Sequence, residues 1–243
     1  MSKTAWLNLR YTTGSRADAF RLGLKKHGYS VKHGLPPKIS EGDLFVTWNR
    51  IGVANKVAKT CSSAGANVLV AENAAWGNSF CSEEWYTIAR DFHNTSGCFD
   101  YHGPDRWDDL GFPLCDFRAD GETVILPQRG IGSPPTAMPK GWPALAFREN
   151  GGRVRKHPGK GPSTPIEDDL KKCGLVVTWG SGAAIKALMM GIKVKSYMPN
   201  WIGEQDNTDQ GRLDMLRNLA WAQWKHEEIE SGFAFDMLIN EGA

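Results

Sequence analysis

The residues best suited to chemistry lie in three stretches of the second half of the chain. Arg155-Lys156-His157-Pro158-Gly159-Lys160 combines three cations and an imidazole in a proline turn. Such a turn suits a phosphate or nucleotide, and an imidazole can also give a proton to a departing phosphate. Trp179-Gly180-Ser181-Gly182 stands where an apolar run passes into a helical one. A helix start offers free N–H groups, the Ser181 hydroxyl adds a donor, and Gly180 and Gly182 let an anion approach the backbone. The bland alternative is an N-cap and a turn. Gln128-Arg129-Gly130-Ile131-Gly132-Ser133 lacks a P-loop's Gly-Lys-Ser/Thr ending and is not a full GxGxxG, yet its glycines and Arg129 fit a loop around an anion. An ordinary surface loop is the alternative there.

In the first half, Glu72 directly follows an apolar run, and Asp91 neighbours His93 and Asn94. Either carboxylate could take a proton from a substrate hydroxyl, although a structural bond to a loop N–H would equally explain Glu72. Arg10, Thr13 and Arg16 flank the first loop. They belong to a cationic opening, since residues 1–38 hold eight Lys/Arg and one acid, a net of +7. Residues 41–118 carry −5 and residues 148–160 carry +4. Blocks of this kind suit an anionic partner, and a solvated helix face is the alternative. No acid pair ends a strand, and no His/Cys cluster has ligand spacing, so no metal site is expected.

The elements that must position these residues alternate. Thr4–Leu9, Tyr29–Val31, Asp43–Trp48 and Asn67–Ala71 read as strands, with helices over Arg16–Lys26 and Val53–Ser63. Residues 72–118, rich in Trp, Asn, Gly and Asp, predict loops with short helices. A second alternating block starts near Gly121. It has strands at Thr123–Leu126, Arg153–Arg155, Gly174–Trp179 and Ile192–Ser196, and helices at Trp142–Arg148, from Thr164 to Lys172, and at Ala183–Met190. The Thr164-Pro165-Ile166-Glu167 start has a capping-box pattern. Two terminal helices, Arg212–Gln223 and His226–Ile239, follow. Alternation of this kind predicts parallel sheets with helices on both faces, in two Rossmann-like domains, 1–118 and 119–243, facing a cleft. Ligands of such sheets bind beyond the carboxyl ends of the strands.

Composition narrows the class. With 29 Lys+Arg against 27 Asp+Glu the net charge of +2 excludes a histone-like coat, and 41% hydrophobic residues exclude disorder. No apolar run is long enough for a membrane helix, and residues 1–20 lack a signal peptide's apolar core. Five cysteines, an odd number without a CxxC pair, fit reduced thiols in a cytoplasm.

The order of the motifs resembles GT-B glycosyltransferases. A Gly/Gln loop after the first strand of the second block, an R-x-H-P turn at Arg155–Pro158, and a strand–T-W-G-S-G–helix turn are similar to transferases that use nucleotide-activated sugars. The stretches Asp91–Asn94, Val124–Gly132, Leu219–Trp224 and Glu227–Ile229 look like phage-encoded glycosyltransferase-like proteins, some of them associated with hypermodified DNA bases. The resemblance implies a nucleotide-sugar donor, a UDP-sugar foremost, and no further cofactor. The donor would be held by Gln128, Arg129, Gly130, Arg155, His157, Ser181 and Gly182. Glu72, or Asp91 as second choice, would be the base. Arg10, Thr13 and Arg16 would meet a hydroxymethylated base in double-stranded DNA, and the C-terminal helices would cross back onto the first domain. The chain would work in the cytoplasm, the host's if it is phage-encoded. A surface-polysaccharide transferase, a non-catalytic DNA- or nucleotide-sugar-binding module, and a GT-B sugar epimerase are the competing readings.

Overall fold

A computed structural model of the chain describes residues 3–9, 14–92, 99–130, 136–157 and 164–239. Arg10 and Thr13 lie outside these residues, as do His93, Asn94, 131–133 and 158–160. The chain divides into two compact units, Met1–His102 with Ala220–Ala243, and Gly103–Leu219.

The first unit begins with β1 (Thr4–Asn8), α1 (Ser15–Lys26), β2 (Ser30–His33), β3 (Leu44–Trp48), α2 (Gly52–Ser63), β4 (Asn67–Asn73), β5 (Ser79–Phe80) and β6 (Glu83–Arg90). The second unit contains α3 (Asp105–Asp108), β7 (Glu122–Leu126), α4 (Trp142–Asn150), β8 (Arg153–Val154), α5 (Ile166–Asp169), β9 (Cys173–Thr178), α6 (Ala183–Met189), β10 (Lys193–Ser196) and α7 (Asp209–Ala220). The chain then returns to the first unit as β11 (Gln223–Lys225), α8 (His226–Ser231) and α9 (Phe233–Ile239).

Strands β2-β1-β3-β4 lie side by side and parallel; β6 then joins β4 antiparallel, and β11 joins β6 antiparallel. Both faces of this sheet are covered, which is why β3 and β4 read as continuous apolar runs. Ala5, Leu7, Leu44, Val46, Leu69 and Ala71 pack with Phe20 and Leu24 of α1 and with Ile229 and Phe235 of the terminal helices. Phe45, Val68 and Val70 face the other way, onto Ala58 and Cys61 of α2. The second sheet, β8-β7-β9-β10, is parallel throughout, and Ile125 and Val177 pack under Trp142 and Ala146 of α4. The architecture is mixed α/β with Rossmann-like parallel sheets. Among the described residues no helix is long and apolar enough to cross a membrane.

The structure departs from the sequence reading in four places. First, residues 103–118, expected in the first domain, belong to the second unit. Arg118 Nη1 donates to the carbonyls of Leu170, Lys171 and Cys173 (2.8, 3.0 and 2.8 Å), and buried Arg212 donates to the carbonyl of Cys115 (2.7 Å). Second, the expected loops of 72–118 include the long strand β6, in which Trp85–Ala89 are all buried between β4 and β11. Third, the expected helix over 212–223 stops at Ala220. Fully buried Gln223 instead accepts from Ala75 N (2.9 Å) and Thr87 Oγ1 (2.8 Å), which fixes β11 on the sheet, and Gly232 at φ 93° divides the last helix. Fourth, α5 covers only Ile166–Asp169: extended Pro165 (ψ 142°) sets its start, and the helix ends at Leu170, whose φ and ψ (-95° and 8°) leave the helical range.

The terminal helices approach α1 closely at Gly23, where a Cβ would lie 1.9 Å from the Ile229 carbonyl and 2.7 Å from the Phe235 ring. Gly23→Ala should therefore lower stability by about 1–3 kcal/mol. The effect should appear as a lower denaturant midpoint at unchanged slope. A wild-type midpoint would contradict this docking.

Candidate functional site

The second sheet runs β8-β7-β9-β10, so the strand order reverses between β7 and β9. Connections leave in opposite directions at that point and open a crevice at the carboxyl ends. Side chains tie the two strand ends together. Thr178 Oγ1 donates to the Leu126 carbonyl (3.1 Å) and accepts from Ser181 N (2.9 Å), while Gln128 Nε2 donates to the Gly180 carbonyl (2.6 Å). Beside them lies a cavity of about 460 Å³, within the usual size range of small-molecule sites. Leu126 and Pro127 enter it from β7, Arg155 and His157 from β8, and Ser181 and Ala183 from the β9–α6 turn. Thr164, Pro165, Ile166 and Glu167 from the start of α5, with Lys186 from α6, complete the lining.

The charges in this cavity are arranged in pairs. Arg155 forms an ion pair through Nε with Asp169 Oδ2, and its Nη2 donates to the Thr164 carbonyl (2.9 Å). Asp169 is itself held by Arg153 (2.9 Å), whose guanidinium also grips both oxygens of Glu122 (2.9 and 3.0 Å). Lys186 Nζ lies 2.5 Å from Glu167 Oε1. Desolvation works to raise the Glu167 pKa, but the Lys186 hydrogen bond and charge hold it below the ordinary carboxylate range. Desolvation, followed by the charges of Arg129 and Arg155, pushes the His157 imidazole below its ordinary value. His157 therefore stands in a positive field.

Of the donor residues expected from sequence, the structure brings Arg155, His157 and Ser181 to one cavity. Gln128 is turned to the Gly180 carbonyl, and Arg129 acts on His157 through charge. Gly130 and Gly182 do not line the cavity; Gly130 makes a left-handed turn (φ 67°), and Gly182 is the α6 N-cap. The α6 helix has seven residues, and Ser181 Oγ accepts from Ala183 N at 3.3 Å. Lys186 and Glu167 escape sequence reading because they meet only when α5 packs on α6.

The first unit repeats the strand order, β2-β1-β3-β4, with its reversal between β1 and β3. Polar groups gather there. Asn8 Nδ2 donates to Thr47 Oγ1 (3.0 Å), which donates to the Asn49 carbonyl (3.1 Å). Asn49 is left-handed at φ 64°; with its side-chain amide turned so that nitrogen faces the carboxylate, it donates to Glu72 Oε1 (2.7 Å) and accepts from Trp48 Nε1 (3.2 Å). Glu72 is thus half-buried near the carboxyl end of β4. Asp91 is not beside it. Its N–H bonds the Val68 carbonyl near the amino end of β4 (2.9 Å), and its carbonyl accepts from buried Arg50. Arg16 lies over the rings of Trp48 (4.3 Å) and Tyr86 (4.7 Å), so its cation binds α1 to the sheet. Among the described residues no group of three or more His, Cys, Asp or Glu could hold a metal ion.

No protein-family model matches the sequence, and no curated protein matches it. Among solved structures the chain is similar to KpsC of Thermosulfurimonas dismutans, a beta Kdo 2,4 transferase. The identity is 16% and the TM-score 0.57, over 91% of this chain and 90% of that one. Aspartate transcarbamoylase of Trypanosoma cruzi aligns over 91% of this chain and 83% of its own at 14% identity, with a TM-score of 0.27, too low for a shared fold. The likeness to KpsC is one of fold, parallel α/β sheets of Rossmann-like kind.

The positive field on His157 yields a pH prediction. The free imidazole is neutral at neutral pH, and a bound phosphate would cancel the field and raise its pKa. Affinity for UDP or inorganic pyrophosphate should then rise, with proton uptake, as pH falls from about 8 to about 5. Calorimetry in buffers of different ionisation heat measures this, and His157→Ala should flatten the profile. A flat wild-type profile would count against His157 as an anion contact.

Proposed function

We propose that the chain is a glycosyltransferase that moves a sugar from a nucleotide-sugar, a UDP-sugar foremost, to an acceptor hydroxyl. The observation that carries the reading is the cavity at the strand-order reversal of the second unit, where Arg155, His157, Ser181 and Lys186 converge. The fold likeness to a sugar transferase supports it. In this reading the donor's diphosphate faces Lys186, the Ser181 hydroxyl and the His157 imidazole, while Arg155 supplies a fixed positive field. These groups stabilise charge on the leaving diphosphate without a metal. Glu72 takes the acceptor's hydroxyl proton, the acceptor oxygen bonds to the anomeric carbon, and the bond from that carbon to the diphosphate breaks. The amide bond from Asn49 fits this role, since it fixes one carboxylate oxygen.

For the acceptor we favour an anionic polymer, with a hydroxymethylated base in double-stranded DNA as the leading case. Lys3, Lys25, Lys26 and Lys38 of the opening segment make none of the ion pairs found among the described residues, whereas Lys32 lies over the Trp6 ring (5.2 Å); those four lysines are exposed. They, rather than Arg16, support an anion-binding surface. A surface polysaccharide is the second reading, and the likeness to a beta Kdo 2,4 transferase favours it. The deciding experiment offers a panel of UDP-sugars with either a hydroxymethylated duplex or polysaccharide fragments, and measures product masses. Transfer to the duplex alone supports the first reading, and transfer to fragments alone supports the second. A chain that binds donor and transfers to neither is a binding module.

Two further outcomes are expected. Glu72→Gln should lower kcat about a hundredfold to ten-thousandfold with donor affinity unchanged; an unchanged kcat removes Glu72 from the chemistry. Excess EDTA should leave the rate intact, and loss restored by manganese would refute the metal-independent scheme.

A further inference from the structure

Both cations lining the cavity of the second unit are already paired with carboxylates, but the two pairs differ in kind. The Arg155 side chain is 14% exposed, bonds both Asp169 and the Thr164 carbonyl, and its carboxylate partner is anchored by Arg153. That cation is fixed. Lys186 is 31% exposed and has, among the described residues, a single ion-pair partner, Glu167, which is 49% exposed on the four-residue helix α5. A lysine ammonium is a compact charge on a flexible stem, and an exposed pair of this kind exchanges partners at small cost. Glu167 Oε1 stands 2.5 Å from the ammonium, where a phosphate oxygen would stand.

We propose that Glu167 is an internal substitute for the ligand's phosphate. It occupies Lys186 until a diphosphate displaces it, and it thereby keeps simple anions out of the cavity. The inference rests on the reading that this cavity takes a diphosphate. A small anion that reaches Lys186 alone, such as inorganic phosphate, gains little by replacing a carboxylate and is repelled by the carboxylate it displaces. A diphosphate brings a second charge for the Arg155–His157 side and can complete the exchange. Glu167 would thus set specificity by competition from within the protein.

The test is calorimetric titration of inorganic phosphate, inorganic pyrophosphate and UDP into four proteins: wild type, Glu167→Gln, Glu167→Gln with Lys186→Met, and Asp168→Asn. Asp168 is the charge control, because it neighbours Glu167 but pairs with Lys171 at 2.7 Å and does not line the cavity. Glu167→Gln should tighten pyrophosphate binding about threefold to tenfold. Its proportional gain should be larger for inorganic phosphate. Adding Lys186→Met should cancel the gain, and Asp168→Asn should bind as wild type does. Equal or weaker binding by Glu167→Gln overturns the proposal while leaving the donor cavity in place. So does a gain that survives loss of Lys186 or is matched by Asp168→Asn. Absence of binding in wild type and Glu167→Gln alike overturns both the proposal and the donor reading. The predicted gain without transfer from any nucleotide-sugar supports the proposal and removes the transferase reading alone.

Discussion

Parallel strands cannot be joined by tight turns, because each must begin again at the end of the sheet where its predecessor began. Every connection is a crossover, and every crossover starts from a carboxyl end. The functional geometry of this protein depends on that constraint. In the second unit it brings the loops after β7, β8 and β9 to one edge of a sheet. Residues widely separated in sequence, such as Pro127, His157 and Ser181, therefore line one cavity. The first unit uses the same strand order and gathers Asn8, Thr47, Asn49 and Glu72 at the corresponding place.

The two edges treat cations differently. In the first unit, Arg16 lies over two aromatic rings and serves to hold a helix against the sheet. In the second, guanidinium and ammonium groups face a cavity, each opposite a carboxylate. The Glu122–Arg153–Asp169–Arg155 chain keeps charge on both sides of the β8 edge in balance. His157 lies beyond that balance and loses proton affinity, first through burial and then through the charges of Arg129 and Arg155.

Much of the scaffold was legible in the sequence because burial on both faces leaves a plain mark. Leu44–Trp48, Asn67–Ala71 and Gly174–Thr178 are runs that no surface strand would carry. Gly28 and Gly191, left-handed after α1 and α6, were equally clear stops. Strand β6 was not legible, because its buried centre is polar at Thr87 and its ends are Glu83, Glu84 and Arg90. Its place in the sheet depends on β11, whose Gln223 finds partners in Ala75 and Thr87 far away in sequence. At the site, Arg155, His157 and Ser181 could be found because they stand next to strand ends. Lys186 and Glu167 could not, since a helix-to-helix ion pair has no local signature.

The return of Ala220–Ala243 to the first unit bears on how the molecule is made. A ribosome releases Met1–His102 early, yet β6 then lacks its β11 neighbour and Phe20 and Leu24 of α1 lack Ile229 and Phe235. The second unit needs only contiguous chain and can close as it emerges. The first must wait, with an open strand edge and an uncovered apolar face, until β11, α8 and α9 have been translated. Such surfaces are where chaperones bind and where chains aggregate. The unit begun first is therefore completed after the second, and slow translation of residues 223–239 would prolong its exposure.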